Sequence, residues 1–185
     1  MCGINGIISL EKSLDLNSKI SEMNAIIFHR GPDLDGEFVT KENHFSIAMG
    51  MRRLSIIDLH TGNQPIYSED LSKVIVFNGE IYNYQILKEQ LVTQGCVFKT
   101  DSDTEVILKL YEQEGPKSFC KLDGMYAFSI YDKSIDKLYI TRDFFGEKPL
   151  YYTQNNEGLI WASELKSIIG VLPNKPEIDL NGLSL

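Results

Sequence analysis

Cysteine is scarce in this chain: three residues, Cys2, Cys96 and Cys120, in 185. An odd, widely spaced set makes neither a disulfide framework nor a zinc pattern, and it suits a reducing cytoplasm. No apolar run approaches the ~18 residues that a membrane-crossing helix needs. No basic stretch followed by an apolar one marks a signal peptide. Basic charge is also short: 18 Lys and Arg stand against 26 Asp and Glu, a formal charge of −8. With no basic stripe, nucleic acid is excluded as an expected partner. Internal repeats and low-complexity tracts are missing too. What is present is an ordinary globular composition, 43% hydrophobic, 24% charged and 10% aromatic, too apolar for disorder. At this length one domain can bury roughly 70% of its unfolded surface without staples.

The hydrophobic pattern gives the elements. Cys2 to Leu10 (CGINGIISL) reads as a buried strand. Asp15 or Ser18 caps a helix that carries Ile20, Met23 and Ile27 on one face. Arg30-Gly31-Pro32-Asp33 is turn chemistry and stops it. Phe45 to Met51 and Lys73 to Phe77 read as strands, the second running into Asn78-Gly79, a hairpin-turn dipeptide by rule. Tyr84, Leu87 and Leu91 form a helical face closed by Gly95. Asp103 to Glu114 forms another, with Val106, Ile107, Leu110 and Tyr111 inward. Met125–Asp132 with Lys137–Arg142, and Leu150–Thr153 with Leu159–Ser163, read as hairpins. About eight strands or more in consecutive hairpins predict mostly antiparallel sheets, and helices gathered on their outer faces make an α+β layered domain. Cys96 and Cys120 sit among apolar residues and read as core. Residues 171–185 contain Pro173, Pro176 and Gly182 without periodicity and read as the start of a linker.

The chemistry concentrates at the amino terminus. Cys2 follows Met1, and methionine aminopeptidases remove Met before a small residue. Processing would put a thiol and a free α-amine on one residue. The amine, with a reference pKa of about 7.7–8.0, is partly neutral at pH 7–8 and can take the thiol proton. The thiolate is the attacking species, and Gly3 lets a substrate approach closely. On position alone a small buried residue at a strand end is the commoner reading. An acyl-transferring thiol needs oxyanion donors, and the Asn78 side chain and Gly79 backbone N–H are candidates. Arg53, after a strand, can fork onto a carboxylate. Asp103 either caps a helix or waits for an ammonium group. Together Cys2, Arg53, Asn78, Gly79 and Asp103 describe an amino-acid pocket, although spacing does not bring them together.

These residues lie in a longer series: Met1-Cys2-Gly3-Ile4, His29-Arg30-Gly31-Pro32-Asp33, Arg53 to Asp58, Gln64-Pro65, Phe77-Asn78-Gly79-Glu80-Ile81-Tyr82-Asn83-Tyr84, Asp101 to Ile107, Leu122 to Phe128, Arg142-Asp143, Phe145 to Tyr152 and Ala162 to Lys166. The series resembles the N-terminal glutaminase domain of asparagine synthetase (glutamine-hydrolysing), a class II glutamine amidotransferase of the Ntn-hydrolase type. It covers nearly the whole chain. The Arg-Leu-Ser-Ile, Asn-Gly-Glu-Ile-Tyr-Asn and Phe-Gly-Glu-Lys-Pro-Leu-Tyr-Tyr wording favours that branch over the sister families that make glucosamine phosphate or phosphoribosylamine.

The resemblance implies a four-layer αββα sandwich, with the amidotransferase domain over 1–170 and a linker toward a synthetase domain from 171. It implies Cys2 as nucleophile with Asn78 and Gly79 as oxyanion hole. It further implies Arg53, Leu54, Ser55, Ile56, Ile57, Asn78, Gly79, Glu80 and Asp103 as the glutamine pocket. The implied reaction is hydrolysis of L-glutamine to L-glutamate and ammonia through a Cys2 thioester, feeding an ATP-dependent asparagine synthetase domain in cis or a separate synthetase subunit. No cofactor or metal is expected in this domain, ATP and Mg belonging to the synthetase part, whose Ser-Gly-Gly-Leu-Asp-Ser loop does not occur here. A homodimer in the cytoplasm, with no membrane partner, fits the same picture. A related amidotransferase with a sugar or peptide carboxylate as acceptor stays open, as does a non-catalytic domain should Met1 be retained. One position departs from the pattern: Asn5 stands where an apolar or aromatic residue is usual, so the packing behind Cys2 must differ.

Overall fold

The computed structural model describes residues 2–54, 62–177 and 179–180. Its strands are β1 (Gly3–Ser9), β2 (Leu34–Lys41), β3 (Ser46–Arg53), β4 (Ile66–Tyr67), β5 (Lys73–Ile81), β6 (Gly124–Asp132), β7 (Lys137–Arg142), β8 (Tyr151–Asn155) and β9 (Gly158–Ala162). Its α-helices are α1 (Leu16–Ile26), α2 (Tyr84–Thr93), α3 (Asp103–Glu114) and α4 (Leu165–Val171). One sheet runs β2-β3-β1-β9-β8 and the other β4-β5-β6-β7. Every pairing between named strands is antiparallel.

Three apolar layers separate four structural ones. Ile4, Ile47, Met49, Met51, Val74, Val76 and Trp161 fill the space between the sheets. Ile7, Leu16, Ile20, Met23, Ala48 and Ile168 join the first sheet to α1 and α4. Ile75, Phe77, Leu87, Leu91, Val106, Ile107 and Phe128 join the second sheet to α2 and α3. The order is therefore helix, sheet, sheet, helix, the αββα sandwich. Strand alternation assigns the faces. On β1 Ile4 and Ile8 look toward the second sheet, and Cys2, just before the strand, follows their parity. On β3 the odd positions Ile47, Met49 and Met51 do so, and Arg53 follows their parity. On β5 Val74 and Val76 do so, and Asn78 and Glu80 follow. This shared parity aims Cys2, Arg53 and Asn78 at one layer.

Several expectations need correction. Asn78-Gly79 is no hairpin turn: β5 runs straight through both residues, which pair with Ala127 and Tyr126 of β6. The turn propensity of the dipeptide is overridden by pairing along a nine-residue strand. Cys120 is exposed at the end of a short 3-10 turn over Gly115–Lys121, where its neighbour Phe119 takes the core position. Residues after Gly95 form no strand; Cys96 packs on the core while Val97 is exposed. Strand β2 escaped the sequence reading because LDGEFVTK is an edge strand, polar except near Phe38 and Val39. Of the two proposed caps for α1, Asp15 is used; its carboxylate accepts from Ser18 N–H. No helix among the described residues is long and apolar enough to cross a membrane.

The Asn5 departure is accommodated by a buried polar chain. Asn5, fully buried, donates to Asn24 Oδ1 of α1 at 3.1 Å and accepts from Ser167 Oγ of α4 at 2.9 Å. Asn24 continues to Glu37 of β2 at 3.2 Å. Each bond answers a group that burial would otherwise leave unsatisfied, so the outer helices are tied to β1 by hydrogen bonds as well as by packing.

Candidate active site

Cys2 opens β1 at the edge of a cleft of about 470 Å³, counting its mouth, which Arg53, Leu54, Gly62, Gln64, Phe77, Gly79, Glu80, Ser102, Asp103 and Thr104 also line. The Cys2 thiol lies against the Leu54 backbone, donating to its carbonyl at 3.5 Å and accepting from its N–H at 3.4 Å. The Cys2 carbonyl accepts from Arg30 Nε at 2.8 Å. Arg30 is held in turn by Glu164 at 3.2 Å, and the same carboxylate oxygen meets His29 at 2.8 Å. The Cys2 peptide is thus fixed from the outer helix layer while its sulfur lines the cleft.

The two neighbouring arginines part company. Arg52 donates to the Gly31 carbonyl, pairs with Asp35 and lies over the Phe28 ring, a structural role. Arg53, buried and on the opposite face of β3, lines the cleft and donates to Asn63 Oδ1 at 2.8 Å. A guanidinium fork of this kind can pair with a carboxylate.

Asp103 is the first residue of α3, but Ser102 does the capping, its hydroxyl accepting from Thr104 N–H. The Asp103 carboxylate instead accepts from Ile81 N–H at 3.1 Å and lines the cleft, although only 4% of the residue is exposed. Burial pushes it up to about 6; the backbone N–H groups of Ile81 and Thr104 oppose the rise and nearby Glu80 adds to it. A buried carboxylate whose charge is this costly is one that a ligand cation would relieve.

The β5 edge supplies the donors. In an antiparallel ladder, alternate residues direct both N–H and C=O to the same neighbour. Tyr126, opposite Gly79, spends its N–H and C=O on Asp143, away from β5. Gly79 therefore sits in a non-hydrogen-bonded pair, and its N–H faces the edge that looks onto the cleft. Its edge neighbours are occupied: Phe77 N–H meets Gln64 Oε1 at 2.6 Å and Ile81 N–H meets Asp103. Glycine is required there, because a Cβ would lie 2.3 Å from the Met125 carbonyl oxygen. Next to it, Asn78 Nδ2 is the only buried side-chain nitrogen or oxygen among the described residues without a hydrogen-bond partner. A buried donor left unmade costs about 1–3 kcal/mol, an expense that a ligand oxygen would remove.

The structure therefore brings Cys2, Arg53, Leu54, Gly79, Glu80 and Asp103 to one cleft, with Asn78 buried on the inter-sheet face beside Gly79. Ser55, Ile56 and Ile57 lie outside the described residues. Sequence reasoning missed Gln64, Ser102 and Thr104 as lining residues; Gln64-Pro65 stood out only as wording, with no chemistry attached. Among the described residues no cluster of three or more His, Cys, Asp or Glu is placed to hold a metal ion.

Chemically, the arrangement offers a thiol, a cation and an anion in one cleft, with two neighbouring N–H donors that no described residue answers. A model of the glutamine amidotransferase domain matches residues 1–185. The chain is 47% identical over 186 residues to asparagine synthetase [glutamine-hydrolyzing] 1 of Bacillus subtilis, covering 99% of this chain and 29% of that protein. It is 37% identical over 173 residues to asparagine synthetase B [glutamine-hydrolyzing] of Escherichia coli, covering 92% and 30%. It thus spans about three-tenths of the length of these relatives. Among solved structures, glutamine phosphoribosylpyrophosphate amidotransferase from B. subtilis superimposes with a TM-score of 0.75 at 24% identity, over 90% of this chain and 43% of that one; this likeness is one of fold.

Proposed function

The chain belongs to the glutamine amidotransferase domain family, and on that premise we propose that its cleft hydrolyses the side-chain amide of L-glutamine, giving L-glutamate and ammonia. Arg53 takes the α-carboxylate and Asp103 the α-ammonium, which directs the side-chain amide toward Cys2. With Met1 removed, the Cys2 α-amine accepts the thiol proton. The thiolate attacks the amide carbon and the electron pair moves onto oxygen. Asn78 Nδ2 and Gly79 N–H hold that oxyanion. Collapse breaks the C–N bond, and the nitrogen leaves as ammonia carrying the proton from the α-amine. Water, deprotonated by the same amine, attacks the thioester. Glutamate departs and the thiol is restored.

What supports this reading is a pair of donors without a partner among the described residues, Asn78 Nδ2 on the inter-sheet face and Gly79 N–H next to it, beside a cleft that Cys2, Arg53 and Asp103 line together. The test is ammonia release from glutamine by protein whose intact mass shows Met1 removed. Processed wild type should release ammonia and Cys2→Ala should not. Release by Cys2→Ala at the wild-type rate would refute the mechanism, and an inert processed wild type would favour a non-catalytic domain.

We further propose that the ammonia serves an asparagine-forming synthetase unit, in cis or as a separate subunit, which holds the ATP and Mg. The printed names of the relatives support this, as do their lengths. So does a rim of exposed aromatics: Phe144 and Phe145, 94% and 84% exposed, meet edge to face, and Tyr82, close to Asp143, is exposed as well. Tyr82 follows β5 past Gly79, and Phe144 follows β7 where Asp143 joins Tyr126. The rim therefore stands at the sheet end that carries the cleft, and an exposed aromatic patch of this kind marks a contact surface.

A further inference from the structure

Strand β4 has two residues, Ile66 and Tyr67, paired with Ile75 and Val74 of β5. Continuing that register backward puts Gln64 opposite Phe77 and Gly62 opposite Gly79. The Gln64 main chain does not keep it. Its carbonyl turns away and packs on Gly36 of β2, so closely that a Cβ there would lie 1.9 Å from the oxygen. The side-chain amide takes the strand's place: Oε1 accepts from Phe77 N–H at 2.6 Å and Nε2 donates to Phe77 C=O at 3.2 Å. A primary amide carries the same donor and acceptor pair as a peptide unit, so it closes the ladder for one residue and then ends it. The next edge position, Gly79, is left open to the cleft, which Gly62 also lines. Nε2 also donates to Thr104 Oγ1 at 3.3 Å, which ties this plug to the first turn of α3 beside Asp103.

We propose that Gln64 is a positioning residue, an amide that caps the β4–β5 ladder so that Gly79 N–H stays open to the oxyanion and Asp103 stays at the ammonium site. The inference rests on glutamine hydrolysis at this cleft and adds a residue that does not itself touch the substrate. It acts on two subsites at once. Phe77 is two residues from Gly79 along a pleated strand, and Thr104 is next to Asp103, so loss of the amide should disturb both kcat and KM. A misplacement of order 1 Å can cost about 10²-fold in rate.

The experiment compares wild type, Gln64→Leu and Gln64→Glu by ammonia release at saturating and at limiting glutamine. Gln64→Leu should lose about 10²-fold in kcat and raise KM. Gln64→Glu keeps an acceptor for Phe77 N–H but loses the donor while ionised. Protonated, it regains an O–H for the Phe77 carbonyl, so its kcat relative to wild type should climb as pH falls from 8 to 6. Asp103, Glu80, Arg53 and Cys2, the titratable groups lining the same cleft, are common to both proteins, and the like charge that the new carboxylate adds beside Glu80 and Asp103 is relieved by the same protonation. An active wild type with both variants within twofold of its kcat overturns the proposal alone. So does a Gln64→Glu ratio that is flat with pH, which is also the deciding measurement if Gln64→Leu does not fold. A processed wild type that releases no ammonia overturns the glutamine reading and this one with it.

Discussion

Asp103 gives the sharpest test, because one group sets both affinity and stability. Only its ionised form attracts the substrate ammonium, while the free protein holds it at about 6. If the α-ammonium needs the carboxylate, KM scales with the reciprocal of the ionised fraction. From pH 7 to pH 5 that fraction falls from about nine-tenths to about one-tenth, so KM should rise about tenfold. A carboxyl at its ordinary 3.8 would change KM by less than about 10% over the same range. Asp103→Asn should raise KM at pH 7.5 and flatten its acid limb while kcat moves less, since the pair with a remote group already exists in the ground state. The stability effect has the opposite sign. The folded pKa lies above the ordinary 3.8, so the folded state holds the proton more tightly than the unfolded chain. The ionisation penalty is absent below pH 3.8, grows through the window up to about 6, and is complete above it. Its ceiling is about 3 kcal/mol at 1.36 kcal/mol per unit. Asp103→Asn is never ionised, keeps an oxygen for Ile81 N–H, and should stabilise the ligand-free protein by about 1–3 kcal/mol at pH 7.5. At this chain length that is about 2–4 °C in Tm per kcal/mol. Steady-state ammonia release between pH 5 and 8 and thermal melts of the ligand-free proteins measure the two effects. A pH-independent KM, or a variant that binds normally and melts lower, would refute the assignment.

Asn78→Ala should lower kcat about 10²–10³-fold, the range for an oxyanion donor, without lowering Tm, because Nδ2 has no partner among the described residues to lose and its unmet burial cost is removed; a normal kcat removes Asn78 from that role. Asn5→Leu takes the donor from the Asn24 oxygen and should cost about 1–3 kcal/mol for the buried acceptor left behind, seen as a lower urea midpoint at constant slope. An unchanged midpoint would show that the polar chain behind β1 contributes nothing to stability.

How much of this was legible follows from what each signal encodes. The α3 boundaries, Asp103 to Glu114, fall where the apolar period and the Ser102 cap place them, because both are local. The β6 and β7 hairpin is equally local, with alternation on each side of a turn. Strand β2 is different: an edge strand buries little, so its sequence carries no period strong enough to read. Cys120 was misplaced for a related reason, since a 3-10 turn gives its residues faces that neither simple period describes. The layered fold could be argued from strand count, whereas the convergence of Cys2, Arg53 and Asp103 could not. Cys2 and Arg53 reach one face through the shared parity of β1 and β3, whereas Asp103 comes from the start of α3 and meets Ile81 N–H of β5.

Asn78-Gly79 shows why the site residues were readable and their geometry was not. The dipeptide signalled a turn, and a turn would have exposed its N–H groups at a strand end. The structure keeps the same two donors unspent by another route. Gly79 lies inside a continuous strand, in a non-hydrogen-bonded pair, at an edge that β4 is too short to cover. Asn78 turns its amide into the layer between the sheets, where no described residue answers its Nδ2. A turn would present such groups on a mobile loop; a paired strand holds them rigidly, as a developing negative charge requires. The glycine answers a steric demand, the close approach of β6, rather than a demand for positive φ. A local sequence rule sees the glycine and the asparagine but not the missing strand beside them, and that missing strand is what turns an ordinary ladder position into a site.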